Sequence, residues 1–276
     1  MEIQYLGTAA AEGWPALFCN CEICKKAAIK RGKSLIENFK EGDIDKKILI
    51  DFPQDSYMHM LQYGIDMPNI QTLLITHSHQ DHWYPEDLML RGKGFASNIH
   101  GELEIYGNDD VYRRLKEAEA FVGKDMAEHA AIKFHLVKAY EIYKLPGYIM
   151  MPLKAKHKRN EDCYIYLIQQ GSKTILYGND TGYFPEETWE FLKNRYLYAV
   201  SLDCTMQKYK DGTNHMGILD NVEVVERLKE IGCVDSKTKR IVTHFSHNGG
   251  MLHEEMEQAV EPYHFTVAYD GLSIEF

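Results

Sequence analysis

The sequence predicts an α/β fold in which two β-sheets pack face to face with helices on both outer surfaces. Three observations predict it. Short apolar runs rich in β-branched residues recur along the whole chain. They come in two batches, each trailed by helical patterns, which a sandwich with outer helices uses completely. With 276 residues, 45% of them apolar, the chain can bury roughly three quarters of its unfolded surface in one core. One domain over residues 1–276 is therefore expected, with no linker, repeat or low-complexity tract dividing it.

Each element follows from local pattern. Strands are expected at Glu2–Leu6, Lys47–Asp51, Thr72–Thr76, Leu103–Tyr106, Ile132–Val137, Gly147–Pro152, Cys163–Ile168, Thr174–Tyr177, Leu197–Leu202, Arg240–Thr243, Phe265–Ala268 and Leu272–Ile274. Helical spacing marks Cys21–Arg31, Asp55–Tyr63, Pro85–Arg91, Asn108–Phe121, Pro185–Asn194, Ile218–Ile231 and His253–Val260. Asn108 and Asn221 are read as capping residues, and Gly232 as a helix stop.

Composition narrows the function. Lys and Arg number 31 against 41 Asp and Glu, a net charge of −10, which argues against a nucleic-acid backbone as partner. No apolar stretch reaches membrane-spanning length. The first residues lack a basic, then apolar, leader pattern, so a cytoplasmic protein is expected. A homodimer is compatible with the sequence but not encoded in any motif.

The main chemical signal is His77-Ser78-His79-Gln80-Asp81-His82, directly after the apolar run Thr72–Thr76. Alternate side chains of an extended segment share a face, so His77, His79 and Asp81 can converge, with His82 joining at a turn. Imidazoles with a carboxylate suit zinc, manganese or iron. His157, Asp180 and His244 each follow a later apolar run. Cys19, Cys21 and Cys24 crowd together, too close for easy pairing, and in a reducing compartment read first as a metal site. Cys163, Cys204 and Cys233 read as small buried hydrophobes.

The string His-x-His-x-Asp-His, the later lone His157, the turn Gly178-Asn179-Asp180-Thr181 and the final Thr243-His244 resemble the metallo-β-lactamase superfamily, nearly end to end. The resemblance implies an αββα four-layer sandwich with two divalent metal ions, zinc or manganese, at one rim. It implies that His77, His79 and His157 hold one ion, that Asp81, His82 and His244 hold the other, and that Asp180 bridges them, with a bridging hydroxide as nucleophile. Cys-x-Cys-x₂-Cys resembles the PhnP-type cyclic phosphodiesterases and their PqqB-type relatives. That likeness implies a structural zinc on Cys19, Cys21, Cys24 and His247. Asp203, in Asp203-Cys204-Thr205, and His215 fall where phosphodiesterase members carry an acid–His pair, which implies that His215 protonates the leaving oxygen and Asp203 orients it.

The resemblance implies hydrolysis of a small phosphodiester, a cyclic one such as a ribose 1,2-cyclic phosphate. The rivals are a tRNA 3′-processing endonuclease, a PqqB-like carrier, and a lactonase or thioester hydrolase. The basic run Lys154–Arg159 either holds a second phosphate or is a solvated hairpin tip, and Trp83 with Tyr84 either walls the pocket or packs beneath it.

Overall fold

The computed structural model describes residues 1–14, 19, 21–31, 47–97, 99 and 101–276. In chain order the first half carries β1 (Glu2–Gln4), α1 (Glu22–Arg31), β2 (Ile48–Ile50), α2 (Ser56–Tyr63), β3 (Thr72–Leu74), β4 (Leu103–Gly107), α3 (Asp109–Val122), α4 (Met126–Ala130) and β5 (Ile132–Leu136). The second half carries β6 (Tyr143–Leu145), β7 (Tyr148–Lys154), β8 (Tyr164–Gln170), β9 (Lys173–Gly178), α5 (Glu186–Leu192), β10 (Ala199–Asp203), α6 (Ile218–Glu230), β11 (Lys239–Thr243), α7 (His253–Val260), β12 (Thr266–Val267) and β13 (Ser273–Glu275).

The strands form a parallel sheet ordered β2-β3-β4-β5 and a mixed sheet ordered β12-β11-β10-β9-β8-β7-β6, while β1 pairs with β13 alone. Alternation along the strands builds the layers. Leu74 of β3, Tyr106 of β4, and Tyr164, Tyr166 and Ile168 of β8 share one core between the sheets. Their neighbours Leu73 and Ile105 face outward, against Val111 and Leu115 of α3 and Met126 of α4. Ile165 and Leu167 face the other way, toward Trp189 of α5, Val224, Val225 and Leu228 of α6, and Met256 of α7. This is the expected four-layer α/β sandwich. Each of those buried α6 side chains contributes about 1.5–3 kcal/mol of burial, which fastens the helix to the sheet.

Several local expectations change. Asn221 does not cap α6: the helix begins at Ile218, because the Asp220 carboxylate accepts the Gly217 N–H at 2.9 Å. The Asn221 amide instead donates to the Asp203 carbonyl at 2.7 Å. Pro85–Arg91 is a 3-10 helix. Pro146-Gly147 is a turn, with Gly147 at φ 79°, and pairs β6 with β7 as a hairpin; the Pro-Gly pair was its sequence signal. The five-residue α4 and three-residue β6 are too short for periodicity to register. Among the described residues no helix is long and apolar enough to cross a membrane.

Candidate metal centre

Strand direction gathers the site. β7 and β9 are both antiparallel to β8, and β9, β10 and β11 are mutually parallel. Their C-terminal ends therefore lie at one edge, and the chain leaving them carries His157, Asp180, Asp203 and His244 in turn. The loop after β3 brings His77 to His82, and the end of β2 brings Asp51. Asp51, Asp180 and His244 leave their strands in the left-handed region, at φ 63°, 56° and 63°. Such strain costs about 1–3 kcal/mol per residue and persists where the surrounding contacts demand it.

The ligand-type atoms converge closely. His79 Nδ1 lies 2.9 Å from His77 Nε2 and 3.1 Å from His157 Nε2. Asp180 Oδ2 stands 3.2 Å from the Nε2 atoms of His77, His157 and His82 and 3.9 Å from His244 Nε2. Asp81 Oδ2 stands 3.3 Å from His82 Nε2. A tetrahedral site with zinc–nitrogen bonds of about 2.0–2.1 Å spaces its ligands by ~3.3 Å, so the spacing fits a divalent ion. A second observation supports the fit. His82 Nε2 and His244 Nε2 are buried without an aligned hydrogen-bond partner, an arrangement that costs stability unless the atoms bind something.

The far side of four of the five rings is held. His77 Nδ1 meets Thr76 Oγ1 at 3.0 Å, His82 Nδ1 meets Asp51 Oδ2 at 2.7 Å, His157 Nδ1 meets the Asn214 carbonyl at 3.2 Å, and His244 Nδ1 meets Thr205 Oγ1 at 2.7 Å. Partners of this kind select the tautomer that leaves Nε2 bare for an ion. Burial pushes His157 down to about 4, against the pull of Asp180, and burial with the charge of His77 lowers His79. A lowered pKa favours the neutral imidazole, the form in which histidine binds a metal ion. Burial alone would raise Asp81 and Asp180. The surrounding histidines, by charge and hydrogen bonds, outweigh it and hold both carboxyls well below their usual range.

Asp51 escaped the sequence reading, as did the contact of Thr205, noted there only as part of Asp203-Cys204-Thr205, with His244. Asp51 also accepts the Thr76 N–H at 2.8 Å, so one buried carboxylate ties β2 to the start of the histidine loop. An Asp after the apolar run Ile48–Ile50 was the available signal, the same strand-then-ligand pattern that marks His244.

The fold brings Asp203 and His215 together. Asp203 is fully buried, and His215 Nδ1 lies 3.1 Å from both Asp203 Oδ2 and Asp180 Oδ1. Burial would lower His215, but the two carboxylates outweigh it and lift the imidazolium pKa to about 10. The ring stacks on His244 at 5.7 Å, partly exposed beside the cluster.

The cysteine cluster also assembles. Cys19, Cys21, Cys24 and His247 place their ligand atoms within 4.8 Å of one another. His247 Nδ1 lies 3.6 Å from Cys19 Sγ and 3.7 Å from Cys21 Sγ. Zinc–sulfur bonds near 2.3 Å and a zinc–nitrogen bond near 2.0 Å imply an edge of ~3.6 Å. A hydrogen bond with the Cys24 backbone, then those with His247 and Cys19, lower the Cys21 thiol to about 6, which favours the thiolate. Behind His247, Glu12 Oε1 stands 3.9 Å from Nε2 and receives the Ser246 hydroxyl. Backbone bonds Ala10 N–H to Phe245 and Phe245 N–H to Thr8 join the N-terminal segment to the His244 loop.

Other readings resolve simply. Lys154 pairs with Asp162 at 3.3 Å and Lys158 with Glu161 at 2.8 Å, so half of the basic run is engaged by carboxylates. Trp83 is fully buried and donates to the Val111 carbonyl at 3.0 Å; it packs beneath the site. Cys163, Cys204 and Cys233 are buried.

A His/Asp cluster at one rim of an αββα sandwich defines a class. The family model described as Beta-lactamase superfamily domain matches residues 47–245, and the chain belongs to that superfamily. Its fold implies divalent-metal binding, for which the cluster supplies the donors. Among solved structures, a diphosphatase from the PhnP family matches with a TM-score of 0.70 at 22% identity, covering 100% of this chain and 97% of that one. Zn(2+)-bound PqqB from Methylobacterium extorquens matches at 0.69 and 16% identity, covering 100% of both chains. A curated relative, an octanoyltransferase of Porphyromonas gingivalis, is 23% identical over 99% of this chain; the chain spans 51% of that relative's length.

Proposed function

We propose that the protein is a divalent-metal-dependent phosphodiesterase acting on a small, cyclic phosphodiester of the ribose 1,2-cyclic phosphate kind. The observation that carries this reading is the Asp203–His215 pair beside the metal-type cluster, with Nδ1 of His215 held 3.1 Å from a fully buried carboxylate. Thioester hydrolysis has less need of such a pair, because a thiolate leaves without a proton whereas an alkoxide leaving from phosphorus needs one.

His77, His79 and His157 would hold one ion, Asp81, His82 and His244 a second, with Asp180 between them. Cys19, Cys21, Cys24 and His247 would hold a structural zinc. Bound divalent ions supply an acidified water and Lewis-acid charge for phosphoryl oxygens. His215 then acts through Nε2, delivering its proton to the departing oxygen. Asp203 keeps the ring charged and in orientation, while its other oxygen, Oδ1, accepts the Met216 N–H at 2.8 Å and so anchors the loop. Thr205 Oγ1, 2.9 Å from Asp203 Oδ2 and 2.7 Å from His244 Nδ1, couples the acid to the metal-facing ring.

The Porphyromonas relative favours a second reading, cleavage of an octanoyl thioester or ester. One panel separates the two. Zinc- or manganese-loaded protein is assayed on ribose 1,2-cyclic phosphate, bis(p-nitrophenyl) phosphate, an octanoyl thioester and a 3′-extended tRNA. Turnover of the small phosphodiesters and not of the thioester is expected. Preference for the thioester would overturn the phosphodiester reading, and preference for tRNA would replace the small substrate with a nucleic acid.

A further inference from the structure

The side chain of Glu161 is fully shielded from solvent, yet it belongs to none of the metal-type clusters. It accepts four hydrogen bonds: the Ser78 N–H at 2.7 Å, the Ser78 hydroxyl at 2.6 Å, the Asn108 amide at 2.9 Å and the Lys158 ammonium at 2.8 Å. Lys158 closes the circuit by donating to Ser78 Oγ at 2.9 Å. Burial would raise the Glu161 carboxyl, but Lys158, Ser78 and Asn108 outweigh it and keep it low.

The placement of those partners gives the carboxylate a job. Ser78 sits between His77 and His79, on the loop leaving the parallel sheet. Lys158 and Glu161 sit on the β7–β8 connection of the mixed sheet, which carries His157. Asn108 caps α3 with its carbonyl oxygen, accepting the Val111 N–H at 2.8 Å, and spends its amide on Glu161. The two sheets are also joined beside these loops by the backbone bond from Tyr164 N–H to the Thr76 carbonyl, 2.9 Å, and by the Tyr166 hydroxyl on the Ile75 carbonyl, 2.6 Å. Both bonds lie on the strand side of His77. Glu161 adds a contact within the loops themselves, at Ser78 between the two histidines.

We infer that Glu161 is a positioning residue that locks the His77–His79 loop against the His157 loop, so that ring nitrogens from two sheets meet at metal-binding spacing. The inference rests on reading the histidine cluster as a metal centre. Its parts agree in sense: a buried carboxylate needs this many donors to stay ionised, and its donors come from the segments whose relative placement sets the 3.1 Å contact of His157 Nε2 with His79 Nδ1.

The test uses the full chain, stripped of metal and titrated with cobalt, whose thiolate charge-transfer band separates the cysteine site from the histidine cluster. Glu161→Gln keeps the shape and loses the charge; Ser78→Ala removes one donor and keeps the backbone N–H. Glu161→Gln should weaken cobalt binding at the histidine cluster by about 10–100-fold, and Ser78→Ala by less. The thiolate band should stay near wild type; the melting temperature of the metal-free protein should fall somewhat in Glu161→Gln, whose NH₂ faces former donors, and stay near wild type in Ser78→Ala. Affinity within twofold of wild type in both variants would overturn the inference. So would a lowered metal-free melting temperature with affinity unchanged, which would make Glu161 a stability residue only. If wild-type protein binds cobalt at the cluster but turns over no phosphodiester, the substrate reading fails while the positioning role of Glu161 is still decided by the affinities.

Discussion

Replacing Asp51 by Asn removes a charge from the site without removing a heavy atom. Asp51 Oδ1 accepts the Thr76 N–H at 2.8 Å, while Oδ2 faces His82 Nδ1 at 2.7 Å. In the variant the amide has one acceptor. The Thr76 N–H is a buried backbone donor that cannot rotate away, and leaving it unpaired costs about 1–3 kcal/mol. The Asn oxygen therefore takes that side, and its NH₂ faces His82. His82 Nδ1 must then accept, which moves the ring proton to Nε2, the atom aimed at Asp81 and Asp180. Metal binding there requires the opposite tautomer, with two N–H groups opposed. Loss of such an orienting partner weakens metal affinity by about 10–100-fold, or about 1.4–2.8 kcal/mol. The backbone adds no complication, because Asn tolerates the left-handed φ of 63° at this position. Zinc affinity measured against a chromophoric chelator, with His82 ring nitrogens followed by NMR, checks the chain of steps. An affinity within twofold of wild type, or a His82 ring still protonated at Nδ1, would refute it.

Three other outcomes are expected. His215→Ala should lower kcat on an alkyl-leaving-group phosphodiester by about 10²–10⁴-fold with metal uptake intact, and much less on a p-nitrophenyl ester, whose leaving group needs no proton; loss of metal instead would make His215 a ligand. Cys21→Ser should cost one zinc per chain by elemental analysis and lower the melting temperature and turnover together, because His247 stands three residues beyond His244 and steadies its loop. Gly182→Ala should lower kcat by about 10²-fold and weaken metal uptake: an added Cβ would lie 2.2 Å from the Thr213 carbonyl oxygen, so the loop carrying His215, and the Asn214 carbonyl behind His157, must move. Full activity in that variant, measured by steady-state kinetics, would show that the loop yields without displacing the ring.

The sequence by itself determined the features whose geometry is local. Alternation brings His77 and His79 to one cluster, after an apolar run that marks the strand presenting them, whereas Asp81 and His82 lie in a turn after His79 and join a second cluster with His244. Three cysteines within six positions likewise need only a turn to converge. Capping at Asn108 was legible for the same reason, since the bond spans three residues. Tertiary structure decided the rest. Asp51 and Thr205 look like ordinary polar residues until strand order sets one behind His82 and the other behind His244. Asn221 occupies a plausible capping position in sequence, yet β10 lies close enough to claim its amide. Lys158 reads as part of a basic run, a phosphate contact or a hairpin tip, and only the packing of two sheets brings it with Glu161 to Ser78. Local pattern encodes which way a side chain points along its own strand or helix. Hydrogen bonds between distant segments depend on register and layer spacing, which exist only once both sheets have packed.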